Sequence, residues 1–150
     1  MTRHFTATVY VVYDRKVLLH KHKKHGIWIG VGGHIDEDEL PEEAAVREVK
    51  EETGLDIVLY WQDDLKKLAK DEISVPRVQA LNRPVHIILE DIGEDHQHID
   101  CIYYAKADTD KISLEAGIVE YKWASEIDFK SMDLQENVKL FCKEALNLVN

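Results

Sequence analysis

Apolar residues along this chain fall mostly into short runs of strand character, with a few stretches of helical spacing set among them. Residues 6–13 read TATVYVVY, β-branched and aromatic, and predict a strand. Asp14-Arg15 is a turn, and residues 16–20 return as a second strand. Trp28-Ile29 predicts a short strand leading into Gly30, Gly32 and Gly33. Residues 55–60, 85–91, 97–107 and 119–124 predict four more. The turn at 93–95 is short enough to make its two flanking strands antiparallel. Helical spacing appears at 41–53, where Ala45, Val46, Val49 and Thr53 share a face. It recurs at 63–72, through Leu65, Leu68 and Ala69. It closes the chain at 134–149, with Val138, Phe141, Cys142, Ala145 and Leu148 or Val149 turned inward. Residues 74–84 hold two prolines and little periodicity, and read as a loop or irregular strand. Mixed strands with two main helices predict an α/β (α+β) fold, a mixed sheet between helical layers.

The helix at 41–53 is also bounded by its own chemistry. Pro41 suits the first turn, where a missing N–H costs nothing. Glu42 and Glu43 favour the positive end of the helix dipole. Gly54 can end the helix in the left-handed conformation.

Its polar face is what singles it out. Glu48, Glu51 and Glu52 stand at i, i+3 and i+4, so three carboxylates share one side. Like charges so placed weaken a bare helix, and a hard divalent cation would relieve them. Arg47 lies one turn before Glu51 and can also reach back to Glu39. The glycines ahead of the helix permit close backbone approach to a ligand.

Gly33, Glu39, Arg47, Glu48, Val49, Glu51, Glu52, Gly54 and Leu55 together give one pattern. It runs glycine, five residues, glutamate, seven residues, Arg-Glu, an aliphatic, any residue, Glu-Glu, any residue, glycine, an aliphatic. This resembles the box of the Nudix (MutT-like) hydrolases, with every fixed position filled. The box spans about a sixth of the chain, and the strands around it extend the likeness. One departure is Val31, where many members carry proline before the two glycines; it removes no catalytic group.

The resemblance implies a Nudix α/β/α sandwich and an enzyme acting on phosphoric anhydride bonds. It implies that Glu48 and Glu52 are the main metal ligands, that Glu51 is a shared ligand or general base, and that the Gly32 carbonyl completes the shell. Arg47 would orient Glu51 or Glu39. Family members differ over the base, and here Asp100 and Glu120 are the candidates outside the box. The implied ion is Mg2+, with Mn2+ as a substitute. The implied activity is hydrolysis of the diphosphate in a nucleoside diphosphate linked to another moiety, such as ADP-ribose or a nucleotide sugar. The competing expectations are a nucleoside triphosphate pyrophosphatase that clears damaged or surplus nucleotides, and a Nudix-like module that binds nucleotides without turnover.

Composition narrows the setting. The chain has 150 residues, enough for one domain spanning 1–150, and 45% of them are hydrophobic. A formal charge of −10 argues against a stable nucleic-acid complex. No apolar run is long enough to cross a membrane, and the first residues lack a signal peptide's apolar stretch. Cys101 and Cys142 have no metal-ligand spacing and form no disulfide framework. A nucleotide-type small molecule, a cytoplasmic location and room for a homodimer complete the expectation.

Three further features stay open. Residues 20–25, HKHKKH, are either a solvated loop or a phosphate-facing rim, with Lys23 among the point charges. His96, His98 and Asp100 alternate along a strand and share one face. They suit a cleft wall that touches substrate, or a plain wet strand, and His-x-His is also a workable zinc pair. Trp28 either stacks on a base or ribose, or packs; Trp61 and Trp123 read as packing residues. Trp28, Lys23, His98, Asp100 and Glu120 are the expected substrate-side residues.

Overall fold

The computed structural model describes residues 1–62, 76–113 and 120–149. In chain order the elements are β1 (Thr2–Tyr13), β2 (Lys16–Lys21), β3 (Trp28–Ile29), β4 (Val31–His34), α1 (Pro41–Thr53), β5 (Ile57–Leu59), β6 (His86–Gly93), β7 (His96–Ala107), β8 (Tyr121–Ala124), α2 (Asp128–Ser131) and α3 (Glu136–Leu148).

The sheet is built around β1 and β7, which run parallel from Thr2 opposite His96 to Val12 opposite Lys106. The other edge of β1 carries β4 antiparallel beside Thr6–Val9, then β2 beside Val12 and Tyr13. The other edge of β7 carries β6 and then β5, both antiparallel. β2 in turn holds β3 and β8. The turn between β1 and β2 has positive φ at both Asp14 and Arg15, the geometry that matches a twisted two-residue hairpin.

Both faces of the central strands are buried, which explains their continuous apolar runs. Ala7, Val9 and Val11 of β1, with Cys101, Tyr103 and Ala105 of β7, pack against Ala44, Ala45 and Val49 of α1. On the reverse face Tyr10, Val12, Ile102 and Tyr104 pack against Val138, Phe141, Cys142 and Ala145 of α3. The sheet therefore lies between α1 and α3, as the α/β/α expectation requires.

The helix bounds 41–53 agree with the sequence, and Gly54 caps α1 at φ 78° with its N–H on the Lys50 carbonyl. One expectation about α1 is corrected. Val46 is 40% exposed, and Ala44 takes its place on the buried face. At about 100° per residue Val46 is turned roughly 200° from Ala44, past the contact. Two successive alanines, Ala44 and Ala45, also let the helix come close to the sheet. Two elements carried no sequence prediction, β4 and α2. The expected helix at 63–72 and the first residue of the strand expected at 119–124 lie outside the described residues. Residues 76–84 are irregular, as expected, and Asn82 ties them down. Its N–H donates to Glu42, its side-chain amide donates to the Tyr60 carbonyl, and its carbonyl accepts from the Tyr103 hydroxyl.

Candidate active site

Arg47 organises the loop that joins β4 to α1. Its Nε and Nη2 donate to the two oxygens of Glu39 at 2.6 and 2.9 Å, a bidentate pair. Nη2 also donates to the His34 carbonyl at 3.0 Å, so the loop is pinned at both ends. Nη1 donates to Glu48 at 2.9 Å and to Glu51 at 3.1 Å. Both partners foreseen for Arg47, Glu39 and Glu51, are therefore present, and Glu48 is a third. The guanidinium hydrogen bonds hold the Glu39 carboxyl below its usual range. The second Glu39 oxygen also accepts the Asp36 N–H, which closes the loop on itself.

The three helix carboxylates differ in environment. Glu51 is 59% exposed, whereas the Glu48 side chain is only 14% exposed. The Glu48 carboxylate lies close against Gly33, and a Cβ there would push it out of place. Glu52 is half-buried, and its Oε2 is buried with no hydrogen-bond partner among the described residues. Burial first, then the charges of Glu48 and Glu51, push its carboxyl up to about 7, against a smaller pull from the Gly32 N–H. A buried oxygen without a partner, beside two more carboxylates, is costly as it stands. The donors are all oxygen, and the group they fit is a hard divalent cation. Glu48, Glu52 and Glu51 are the side chains that could hold it, with Gly32 at the adjoining backbone.

A second polar group lies across β4, on the other side of the sheet. Gly33 pairs with Ala7, whose side chain belongs to the α1 core, while Gly32 pairs with Thr8, which faces the reverse side. There Thr6 and Thr8 donate to the two oxygens of Asp100 at 2.9 and 2.8 Å. Burial raises the Asp100 carboxyl to about 6 despite those donors. Glu90 on β6 lies opposite His98 and is raised to about 7, by burial and then by Asp100. His98 is lowered to about 4, chiefly by burial, then by His34, His96 and His4. So His98 and Asp100 do share a polar face, as alternation predicted. Glu90, Thr6, Thr8, His34 and His4 join them unforeseen. The alternation of His86, Ile88 and Glu90 was the one signal that could have marked Glu90.

The other expected residues are more scattered. Trp28 is half-buried and packs on the α3-side core, with Lys21 Nζ 5.8 Å from its ring centre. Lys23 is exposed in the β2–β3 turn. That turn is organised by His22, whose Nδ1 accepts the N–H groups of Lys24 and His25. Glu120 is exposed ahead of β8, and its carbonyl accepts the Lys21 N–H. Trp123 packs on the α1-side core and donates to the Asp110 carbonyl. A cavity of about 610 Å³ flanks the box loop, between Arg3, His4, His34, Asp36 and Glu39. A second, of about 650 Å³, lies at the far end of β1 by Arg15 and Lys106 and touches no box residue. Among the described residues no helix is long and apolar enough to cross a membrane.

Known proteins share this arrangement. A family profile described as NUDIX domain matches residues 2–142. A crystal structure of a NUDIX-family hydrolase from Clostridium perfringens is 41% identical, covers 100% of both chains and superposes with a TM-score of 0.88. Two more distant structures share the fold. The MutT protein of Methanosarcina mazei Go1 is 18% identical over 95% of this chain and 92% of its own, with a TM-score of 0.67. The Ap4A hydrolase of C. elegans is 15% identical over 99% and 100%, with a TM-score of 0.69. With its box complete and its fold in register with theirs, the chain belongs to the NUDIX family and is a Nudix hydrolase acting on phosphoric anhydride bonds.

Proposed function

We propose that this single-domain enzyme is a Mg2+-dependent pyrophosphohydrolase that cleaves the diphosphate of a nucleoside diphosphate linked to another moiety. The observation that carries the metal requirement is the buried, unpartnered Oε2 of Glu52, set against Glu48 and Glu51. Glu48 and Glu52 are the ligands, Glu51 is a shared ligand or the base, and the Gly32 carbonyl completes the shell. When bound, the ion neutralises the phosphate oxygens and makes water more acidic. The chain's own residues do the rest. Arg47, on the rigid helix, holds Glu48 and Glu51 beside it and ties the Glu39 loop to it, so the carboxylates need no rearrangement. A carboxylate in this cluster takes the proton of the attacking water. A substrate held at the box would have to reach past β4 to meet the polar face of His98 and Asp100, and these two, with Trp28, Lys23 and Glu120, are the proposed substrate-side residues. The substrate is a small nucleotide and the setting cytoplasmic.

An activity screen tests this reading. Nucleotide sugars, ADP-ribose, dinucleoside polyphosphates and (d)NTPs are each incubated with Mg2+ or Mn2+, and product is read by chromatography. The expected outcome is metal-dependent cleavage of a diphosphate linkage to yield a nucleoside monophosphate. Pyrophosphate release from a triphosphate alone would transfer the assignment to nucleotide-pool cleansing. Binding without cleavage under every metal would contradict an enzyme.

A further inference from the structure

We propose that His4, His96 and His98 form a second metal site, built of nitrogen donors and suited to zinc, on the sheet face opposite α1. One ring nitrogen from each histidine lies within 4.8 Å of the other two. Tetrahedral zinc at about 2.0–2.1 Å from each nitrogen needs donors roughly 3.4 Å apart, so small side-chain rotations close the site. The scaffold is rigid. His4 on β1 is the register partner of His98 on β7, and His96 lies two residues before His98 on the same side of the strand. The parallel pairing of β1 and β7 continues through Val12 and fixes this spacing.

Two observations point to a ligand rather than to a chance cluster. The Nε2 of His98 is buried and has no hydrogen-bond partner among the described residues. A buried ring nitrogen without an acceptor or a donor is costly, so the His98 ring is set for a partner that the described residues do not supply. Four of the eight histidines in the chain also crowd into this one patch. His34 on β4 stands with its ring centre 5.3 Å from that of His4 and 5.0 Å from that of His98. As it stands, His4 Nδ1 and His96 Nε2 share a hydrogen bond of 2.9 Å, which zinc would replace. His4 is exposed, so an ion can enter from solvent.

The donor types separate this site from the box. Imidazole nitrogens select zinc and its neighbours in the first transition row, whereas Glu48, Glu51 and Glu52 offer only oxygens to a hard cation. Zinc bound here would staple the exposed start of β1 to the β6–β7 hairpin.

Untagged full-length protein is loaded with zinc in excess Mg2+, desalted, and weighed by native mass spectrometry. One zinc per chain is expected. Co2+ in its place should give the intense visible bands of tetrahedral nitrogen coordination. His4→Ala, His96→Ala and His98→Ala should each weaken zinc by about a hundredfold. Glu52→Gln should keep it. Zinc should raise the melting temperature of wild type and not of His4→Ala. His4→Ala changes an exposed residue at a strand's start, so it decides the matter even if a β7 variant fails to fold. No retained zinc, or zinc retained by His4→Ala and lost from Glu52→Gln, overturns the proposal.

Discussion

At the scale of single residues, the site divides by sequence distance. Glu48, Glu51, Glu52 and Arg47 were legible because one helical turn places them, and helical spacing can be counted along the chain. Asp100 with Thr6 and Thr8 was not, since those partners lie 94 and 92 residues away and meet only through the β1–β7 register. Arg47→Ala should lower kcat at least tenfold, an order of magnitude typical of lost positioning. Arg47→Lys should not restore it, because a point charge cannot replace the bidentate contact with Glu39. Full activity in the alanine variant would make Arg47 an ordinary surface charge. Asp100→Asn removes a buried charge while keeping an acceptor for one threonine. It should melt no lower than wild type at pH 8 and yet cleave substrate more slowly. Steady-state rates within twofold of wild type would separate this face from the substrate.

At the scale of elements, α1 was the most legible and β4 the least. Proline, the paired glutamates and Gly54 bound α1 from within. β4 holds two glycines, which have poor strand propensity, and it pairs because β1 offers an open edge. Its glycines answer to Glu48 and to the backbone of Ala7 instead. α2 did carry a signal, the pair Ser125 and Asp128 at capping-box spacing. The Asp128 carboxylate accepts the Ser125 N–H and hydroxyl, both at 2.7 Å, and pairs with Lys122 at 3.0 Å. The Ser125 contacts, led by its hydroxyl, hold the Asp128 carboxyl well below the usual carboxylate range. A carboxyl lowered by folding stabilises above its unfolded pKa of about 4 and loses that contribution as the pH falls further. Asp128→Ala should therefore melt below wild type at pH 7. The gap should shrink steadily as both are moved into acid below about pH 4. A gap independent of pH would mean that the charge contributes nothing.

At the scale of the whole molecule, the sandwich could be foreseen, but not the side of the sheet each polar cluster would take. Periodicity gives an inward face for each strand. It does not say that the box carboxylates and the Asp100 group would flank opposite sides of β4. The local basic run at 20–25 was legible as charge but not as geometry: His20 and Lys21 end β2, and Lys23, Lys24 and His25 form an exposed turn. In a chain of formal charge −10, two lysines there should still draw an anionic substrate toward the protein. Neutralising Lys23 and Lys24 together should raise KM with kcat little changed, and flatten the salt dependence of kcat/KM. Equal salt slopes for both proteins would return the turn to simple solvation.

The central claim is that Glu52, with Glu48 and Glu51, holds the divalent ion on which turnover depends. It is tested most directly by titrating Mg2+ into wild type and Glu52→Gln while recording turnover of the best substrate and thermal unfolding. The variant should turn over at least about 100-fold more slowly at limiting metal and recover partly as metal rises. Its metal-free melting temperature should be equal to or above that of wild type, because a buried, repelled carboxylate has been removed. Near wild-type turnover at limiting Mg2+ would contradict the account.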